Sequence, residues 1–187
     1  MNPTQPGSIS PRLPRARGIW QVVLLTSLLV LLLLGSGDGS PAGAAEAGAE
    51  SRLGELDRFW ARIARAVREG DFEAYQATCH PDGVLVRGAA RTTLPLTEAL
   101  AGWKAGFVET RSGRVKAGVE FRFSQRLGEA SSAHETGIFH YFTITADGER
   151  KESYVHFEAV LIKRGGWQTL TEYQKAPATR AEWEALK

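Results

Sequence analysis

The fold of this chain is specified by the stretch from Arg114 to Lys175, RVKAGVEFRFSQRLGEASSAHETGIFHYFTITADGERKESYVHFEAVLIKRGGWQTLTEYQK. Apolar and polar residues alternate from Val115 to Phe123, which is the two-residue period of a strand with one buried face. The pattern predicts three further strands, at about 131–145, 152–163 and 167–175. An antiparallel sheet with one apolar face is stable only when another layer covers that face.

Two short turns predict which side chains share a face of the sheet. Asp147-Gly148 is a typical two-residue hairpin loop, because both central residues of such a turn need φ > 0. If Gly128-Glu129 is a second such loop, His140 lies opposite Ala117, and opposite residues share a face. The predicted apolar face carries Val115, Ala117, Val119, Phe121, Phe123, His134, Ile138, His140, Phe142, Ile144, Val155, Phe157, Ala159 and Leu161. The predicted polar face carries Glu120, Arg122, Glu135, Tyr141, Thr143, Glu152, Tyr154, His156 and Glu158.

The histidines divide between these two faces. His156 is predicted on the polar face, as part of a solvated outer surface or a dimer contact. His134 and His140 are predicted on the apolar face, where an unpaired imidazole costs about 1–3 kcal/mol. Because the side chain of Ala117 is small, the space opposite His140 is a plausible pocket. The competing interpretation is a core histidine whose hydrogen bonds are satisfied.

The last strand has two possible orientations. A two-residue loop before it turns Leu170, Glu172 and Gln174 inward. A three-residue loop, Arg164 to Gly166, turns Trp167, Thr169, Thr171 and Tyr173 inward. The sequence leaves both open, and in the first case Glu172 would be able to pair with a pocket histidine.

Helical patterns precede the strands. Apolar residues at helical spacing predict a helix over 51–69, with Asp71 capping a second helix over 72–78. A brief strand at 84–86 and a third helix over 96–110 follow. A capping box at Thr179 and Glu182 predicts a final short helix that ends near Leu186. Helices first and an antiparallel sheet second indicate an α+β fold.

The first 45 residues are typical of a secretory signal peptide: a basic segment, an apolar run from Ile19 to Leu34, and small residues. We expect cleavage after Ala44 or Ala45, a linker over 46–52 and the domain over 53–187. The chain is thus predicted to be exported by the general secretory route, into the periplasm or the medium. An uncleaved leader would instead be a membrane anchor.

The charge balance and the cysteine content bear on nucleic-acid binding and on disulfide bonding. The chain holds 23 Lys and Arg and 21 Asp and Glu. Without the leader, which holds three arginines and one aspartate, the counts are 20 and 20. A balanced chain does not favour a nucleic-acid partner. Cys79 is the single cysteine, so no internal disulfide is expected, and we interpret it as a structural thiol.

Three segments together resemble the nuclear transport factor 2-like superfamily, in its SnoaL-like and ketosteroid-isomerase-like branches. They are the helix break from Phe59 to Tyr75, the turn and strand from His80 to Val86, and the hairpin from Val160 to Trp167. The resemblance covers about 53–175. It implies a cone-shaped, curved antiparallel sheet packed against three N-terminal helices, with a ligand between the concave face and the helices. The superfamily includes isomerases, cyclases, dehydratases and binding or assembly domains, so the fold does not determine the function.

From the resemblance and the predicted faces we expect a small apolar or amphipathic ligand. The alternatives are an acid–base isomerase, cyclase or dehydratase, and a homodimeric assembly module that pairs through the polar sheet face. The predicted ligand-binding residues are Trp60, Tyr75, Trp103, Ala117, Phe121, Phe142 and Phe157. The candidate catalytic residues are His140, His134 and Glu172, with a histidine or carboxylate moving a proton.

No cofactor or metal is expected. His134-Glu135 and His140 do not form a His-Glu-x-x-His motif, because position 138 is isoleucine.

Overall fold

The computed structural model describes residues 41–186. Residues 1–40, which hold most of the predicted signal peptide, lie outside the described residues. In chain order the described elements are α1 (Pro41–Glu69), α2 (Phe72–Gln76), β1 (Cys79–Arg87), β2 (Thr92–Pro95), α3 (Leu96–Arg111), β3 (Val115–Gly128), β4 (Ser132–Thr145), β5 (Arg150–Lys163), β6 (Trp167–Ala178) and α4 (Arg180–Ala185).

The six strands form one sheet in the order β2-β1-β6-β5-β4-β3. All neighbours are antiparallel except β1 and β6, which run parallel. The predicted α+β class and the four-strand run from 115 to 175 are confirmed. The parallel pair is a difference from the fully antiparallel sheet that we expected. β2 was not predicted from the sequence.

Two of the helices begin at the capping residues that the sequence predicted. The side chain of Asp71 accepts a hydrogen bond from the amide of Ala74 at 3.0 Å, so the predicted cap is confirmed. Thr179 and Glu182 form the predicted capping box of α4. By contrast, α1 begins at Pro41, before the predicted start at 51, so the expected linker over 46–52 is helical.

The predicted register of β4 is wrong by one residue. Its loop to β5 holds three residues rather than two, because Thr145 and Glu149 are bonded across it and Gly148 has φ 87°. His140 is therefore paired with Tyr154 and with Glu120, which both lie on the outer face. A one-residue shift turns every side chain of a strand to the other side.

A bulge in β3 also changes the predicted pairing between β3 and β4. The pairing of β3 with β4 shifts between Phe123 and Gln125, so that Phe121 lies opposite Phe139. The inward residues of β4 are therefore the odd-numbered ones, including Glu135, Phe139 and Tyr141. The residues that we wrongly placed inward are His134, Ile138, His140, Phe142 and Ile144, whereas Glu135, Tyr141 and Thr143 were wrongly placed outward. The predicted faces of β3 and β5 hold in the segments that line the helix-facing side, Ala117 to Phe121 and Val155 to Phe157.

β6 combines the two orientations that the sequence left open. The three-residue loop Arg164 to Gly166 turns Trp167 and Thr169 inward, and both are buried. The pairing with β5 then shifts between Leu161 and Val160. After this bulge, Glu172 and Gln174 face inward. Each alternative is thus correct for one part of the strand.

The core lies between α1 and the inner face of the sheet. It includes Leu56, Phe59, Trp60, Ile63, Ala133, Phe157, Ala159, Leu161 and Trp167. Glu135 is fully buried at its edge and accepts hydrogen bonds from the Trp60 indole and, at 2.5 Å, from Arg126. Arg126 also contacts Asp57 at 2.6 Å. The buried carboxylate is thus paired and hydrogen-bonded, as its burial requires.

α4 packs on the outer face of the sheet through Trp183. The Trp183 ring lies 5.8 Å from the His140 ring, and His140 stacks on Tyr154 at 4.3 Å. Arg122 lies 4.5 Å over the Trp183 ring and donates hydrogen bonds to the carbonyls of Trp183 and Leu186 at 2.9 Å. His140 is therefore buried under a helix on the side of the sheet opposite to the core.

We predict that Trp183→Ala lowers the free energy of unfolding by about 3 kcal/mol, because it removes a buried aromatic side chain. Chemical denaturation followed by circular dichroism measures the change. Glu184→Ala is the control: it removes only an exposed pair with Arg180, worth less than about 1 kcal/mol. Equal effects of the two substitutions would show that α4 does not hold the outer face.

Candidate functional site

A cavity of about 500 Å³ lies between the inner face of the sheet and helices α1, α2 and α3. Its wall is mostly apolar. The helices contribute Trp60, Ile63, Val67, Tyr75, Trp103 and Phe107, and the sheet contributes Ala117, Val119, Phe121, Phe139, Val155 and Phe157. The space exists because the helices cover the sheet without filling it completely.

Aromatic packing holds the wall in place. Tyr75 packs between two residues of α3, with ring centroids 5.0 Å from Phe107 and 6.0 Å from Trp103. Trp60 packs against Phe121 at 4.5 Å, and its indole nitrogen donates to the buried Glu135. Because both ends of the Trp60 ring are constrained, we infer that this part of the wall is preformed.

Glu172 is the one carboxylate in the cavity wall within residues 41–186. Its carboxylate accepts a hydrogen bond from the amide of Gln174 at 2.7 Å. Burial raises the pKa of Glu172 above its ordinary value, and the bond from Gln174 opposes this effect. The β6 bulge is what points both side chains into the cavity. A carboxyl group with a raised pKa in an apolar site is a typical proton-transfer group.

Three further ionisable groups border the cavity. Burial, and secondarily the charge of Glu172, raises the pKa of the Tyr75 hydroxyl well above its usual range. The same two causes raise the pKa of the Cys79 thiol to about 12. Burial also raises the pKa of Tyr141, which is 38% exposed at the open side of the cavity. All three groups are therefore neutral hydrogen-bonding groups near pH 7.

Six of the seven predicted ligand-binding residues line this cavity: Trp60, Tyr75, Trp103, Ala117, Phe121 and Phe157. Phe142 does not, because it shares the shifted register of β4 and lies over Gly118 on the outer face. Tyr141 and Phe139 line the cavity and were not predicted, for the same reason. A three-residue interpretation of the loop at Asp147 would have found them.

Of the candidate catalytic residues, Glu172 reaches the cavity and the two histidines do not. His140 is 7% exposed and contacts Glu152 at 3.2 Å on the outer face. His134 contacts Glu158 at 3.4 Å, and that residue also pairs with Lys175. The structure thus separates Glu172 from both histidines, and the predicted pairing of Glu172 with a pocket histidine is wrong.

Neither a metal-binding cluster nor a membrane-spanning helix is found in residues 41–186. No three His, Cys, Asp or Glu side chains of this range lie close enough together to hold a metal ion. None of its helices combines the length and the apolar character of a membrane-spanning segment.

Structure comparison identifies the class of fold. A conserved protein from Planctomyces limnophilus is similar with a TM-score of 0.57 and 17% identity, over 69% of this chain and 99% of that one. A nuclear transport factor 2-like superfamily protein from Salmonella enterica aligns with a TM-score of 0.52 and 13% identity, over 71% and 95% of the two chains. A Catenulispora acidiphila protein, solved in complex with S-DNPA, aligns with a TM-score of 0.52 and 24% identity, over 66% and 91%.

The chain therefore has the nuclear transport factor 2-like fold, as its sequence motifs predicted. No family model matches the sequence, and no curated protein matches it. At these identities the comparisons establish the fold alone.

We predict that iodoacetamide at pH 8 alkylates Cys79 in the folded protein roughly a hundredfold more slowly than in the unfolded chain, because the thiol reacts as thiolate. Mass spectrometry of the modified protein with and without denaturant measures the two rates. Glu172→Gln is expected to accelerate alkylation of the folded protein, since the charge of Glu172 contributes to the raised pKa. Equal rates in folded and unfolded protein would contradict the raised pKa.

Proposed function

We propose that this protein binds a small, mostly apolar molecule that carries one hydrogen-bonding group. The observation that carries the proposal is the cavity of about 500 Å³, whose apolar wall is interrupted by Glu172 and its neighbours. Small-molecule sites are typically concave, apolar and a few hundred cubic ångströms in size, with few polar groups that orient the ligand.

The polar groups indicate the chemistry that such a ligand needs. Tyr75 and Tyr141 carry hydroxyl groups that donate or accept one hydrogen bond each. Glu172 accepts hydrogen bonds when ionised and also donates one when protonated, which its raised pKa favours at mildly acidic pH. A hydroxyl or carbonyl group on an otherwise apolar ligand satisfies these groups. A protein of the same fold was solved in complex with S-DNPA, which agrees with ligand binding in this fold.

Gly106 offers a test of the cavity that does not disturb the core. It borders the cavity on α3, and a Cβ atom there would meet no atom within 4 Å. We predict that Gly106→Leu weakens binding of the neutral dye N-phenyl-1-naphthylamine at least about tenfold, because the new side chain occupies the ligand space. Dye fluorescence in a titration measures the affinity.

Gly48→Leu is the matched control. Gly48 lies on the exposed part of α1, also with open space around it and outside the cavity wall. Both substitutions replace a helical glycine by a good helix former, so neither is expected to destabilise the fold. If both variants bind the dye as the unmodified protein does, the dye does not occupy the cavity and the proposal loses its support.

Acid–base catalysis is the second candidate function, and Glu172 is the observation that favours it. Desolvation makes a carboxylate a stronger base, and the raised pKa of Glu172 has this cause. A Tyr75 or Tyr141 hydroxyl would stabilise the negative charge that develops on the substrate. This assignment replaces His140, which lies on the other side of the sheet.

A general-base probe tests this candidate without knowledge of the substrate. 5-Nitrobenzisoxazole loses its C3 proton to a base while its N–O bond breaks, and it yields a coloured cyanophenolate. We expect the protein to accelerate this reaction, with a rate that rises as pH increases through the raised pKa of Glu172, because only the carboxylate accepts a proton. Glu172→Gln should lower the rate about a hundredfold.

Two control variants distinguish a base in the cavity from a base on the outer face of the sheet. Glu158→Gln removes a carboxylate from the outer face, and His140→Gln removes the histidine that the sequence had favoured; both should retain the rate. Loss of the rate in either control, with Glu172→Gln unaffected, would contradict a catalytic role for Glu172.

Export through the secretory route and a homodimer built on the outer sheet face stay predictions. The dimer proposal has to accommodate α4, which already covers His140 and Tyr154 on that face. Size-exclusion chromatography of the purified protein tests the oligomeric state.

A further inference from the structure

A second concave surface lies on the opposite side of α1 from the cavity. It runs between the exposed side of α1 and the loop that joins β5 to β6, and none of its lining residues borders the cavity. Its rim carries Arg58, Arg62, Arg65 and Arg68 from α1, with Lys163 across from them. We refer to the four arginines as the arginine stripe and to the surface as the basic groove.

The stripe follows from helical geometry. Residues 58, 62, 65 and 68 are spaced by four, three and three, which keeps them on one side of the helix. At 1.5 Å per residue they extend over about 15 Å. The intervening Ala61 and Ala64 also line the groove, and their short side chains leave the guanidinium groups free to reach into it.

Two of the acidic residues close to the stripe pair with residues outside it, and a third contacts only its last arginine. Glu55, on the groove wall, accepts hydrogen bonds from Lys163 at 2.6 Å and from the Trp167 indole at 2.9 Å. Asp57 contacts Arg126 at 2.6 Å, and Glu69 reaches only Arg68, at 3.9 Å.

The first three arginines of the stripe thus keep their charge uncompensated. Across residues 41–186, Arg58, Arg62 and Arg65 make no ion pair, although the charge of Arg58 acts on Glu55 from a distance. Like charges at this spacing destabilise a helix. The stripe is therefore unfavourable for the isolated chain, and a partner of opposite charge relieves the repulsion.

We propose that the basic groove binds an extended acidic peptide segment of another protein. A guanidinium group matches a carboxylate with two parallel hydrogen bonds. Side chains on one side of an extended strand are about 6.6 Å apart, close to the 4.5–6 Å rise between successive arginines of the stripe. Acidic residues at alternate positions therefore fit the stripe.

The shape and floor of the groove favour a peptide over other anions. A single-stranded nucleic acid requires exposed aromatic rings on which its bases stack. The aromatic residues at this groove, Phe59 and Trp167, are only 2% and 4% exposed. A membrane surface is flat, whereas the basic groove is concave.

The test uses the purified protein and a fluorescein-labelled decapeptide that alternates glutamate and serine, with fluorescence anisotropy at low ionic strength. The triple variant Arg58→Gln, Arg62→Gln and Arg65→Gln should weaken binding about tenfold or more and reduce its dependence on salt. The matched control is Arg91→Gln, Lys116→Gln and Lys151→Gln, which removes three exposed charges elsewhere. The control should change the affinity less than about twofold.

Three results would overturn the proposal. Absence of peptide binding at low salt is the first. Equal weakening by the two triple variants is the second, because it would assign the effect to net charge. The third is tighter binding of a thymidine oligonucleotide, or of phosphatidylglycerol vesicles, than of the peptide, with that binding lost in the stripe variant.

Discussion

The structure depends on the burial of the apolar inner face of the sheet. Phe157, Ala159 and Leu161 form a nearly dry strip of β5 at its centre, and α1 covers them through Leu56, Phe59 and Trp60. The helices do not fill all the space over this face, and a cavity of about 500 Å³ remains between them and the sheet. The cavity is the space left between the helices and that face around contacts such as Trp60 with Phe121.

The fully buried Glu135 connects this core to the cavity. It fixes the indole of Trp60, and Arg126 supplies the charge that the carboxylate needs in order to stay buried. Breaking one side of such an arrangement leaves a charge without a partner, which is costlier than the loss of the contact itself. Trp60 is therefore held both by packing and by a hydrogen bond, and the cavity wall gains rigidity from an ion pair that lies outside it.

Much of the fold was predictable, because strands and helices are encoded by local periodicity. The caps at Asp71 and Thr179 were found from their own side chains. The orientation of β4 was not, since it depends on whether the loop at Asp147-Gly148 contains two residues or three, and both loops accept this dipeptide. Because the loop has three residues, His140 lies on the outer face and Tyr141 lines the cavity. The bulges at Ser124 and Leu170 have no local sequence signal, because tertiary packing determines where a strand breaks its alternation. Aromatic wall residues on helices were predicted well, as helical spacing has no comparable ambiguity.

The bulge in β6 also bears on how such a cavity diverges in evolution. Because the strand changes register between Thr169 and Thr171, its two ends are independent in orientation. If the strand alternated regularly through Leu170, without the bulge, Thr171 and Tyr173 would face the ligand in place of Glu172 and Gln174. Trp167 and Thr169 would keep their places in the core. Substitutions that straighten the strand at this bulge would thus exchange a carboxylate for hydroxyl groups, while the first part of the strand is retained.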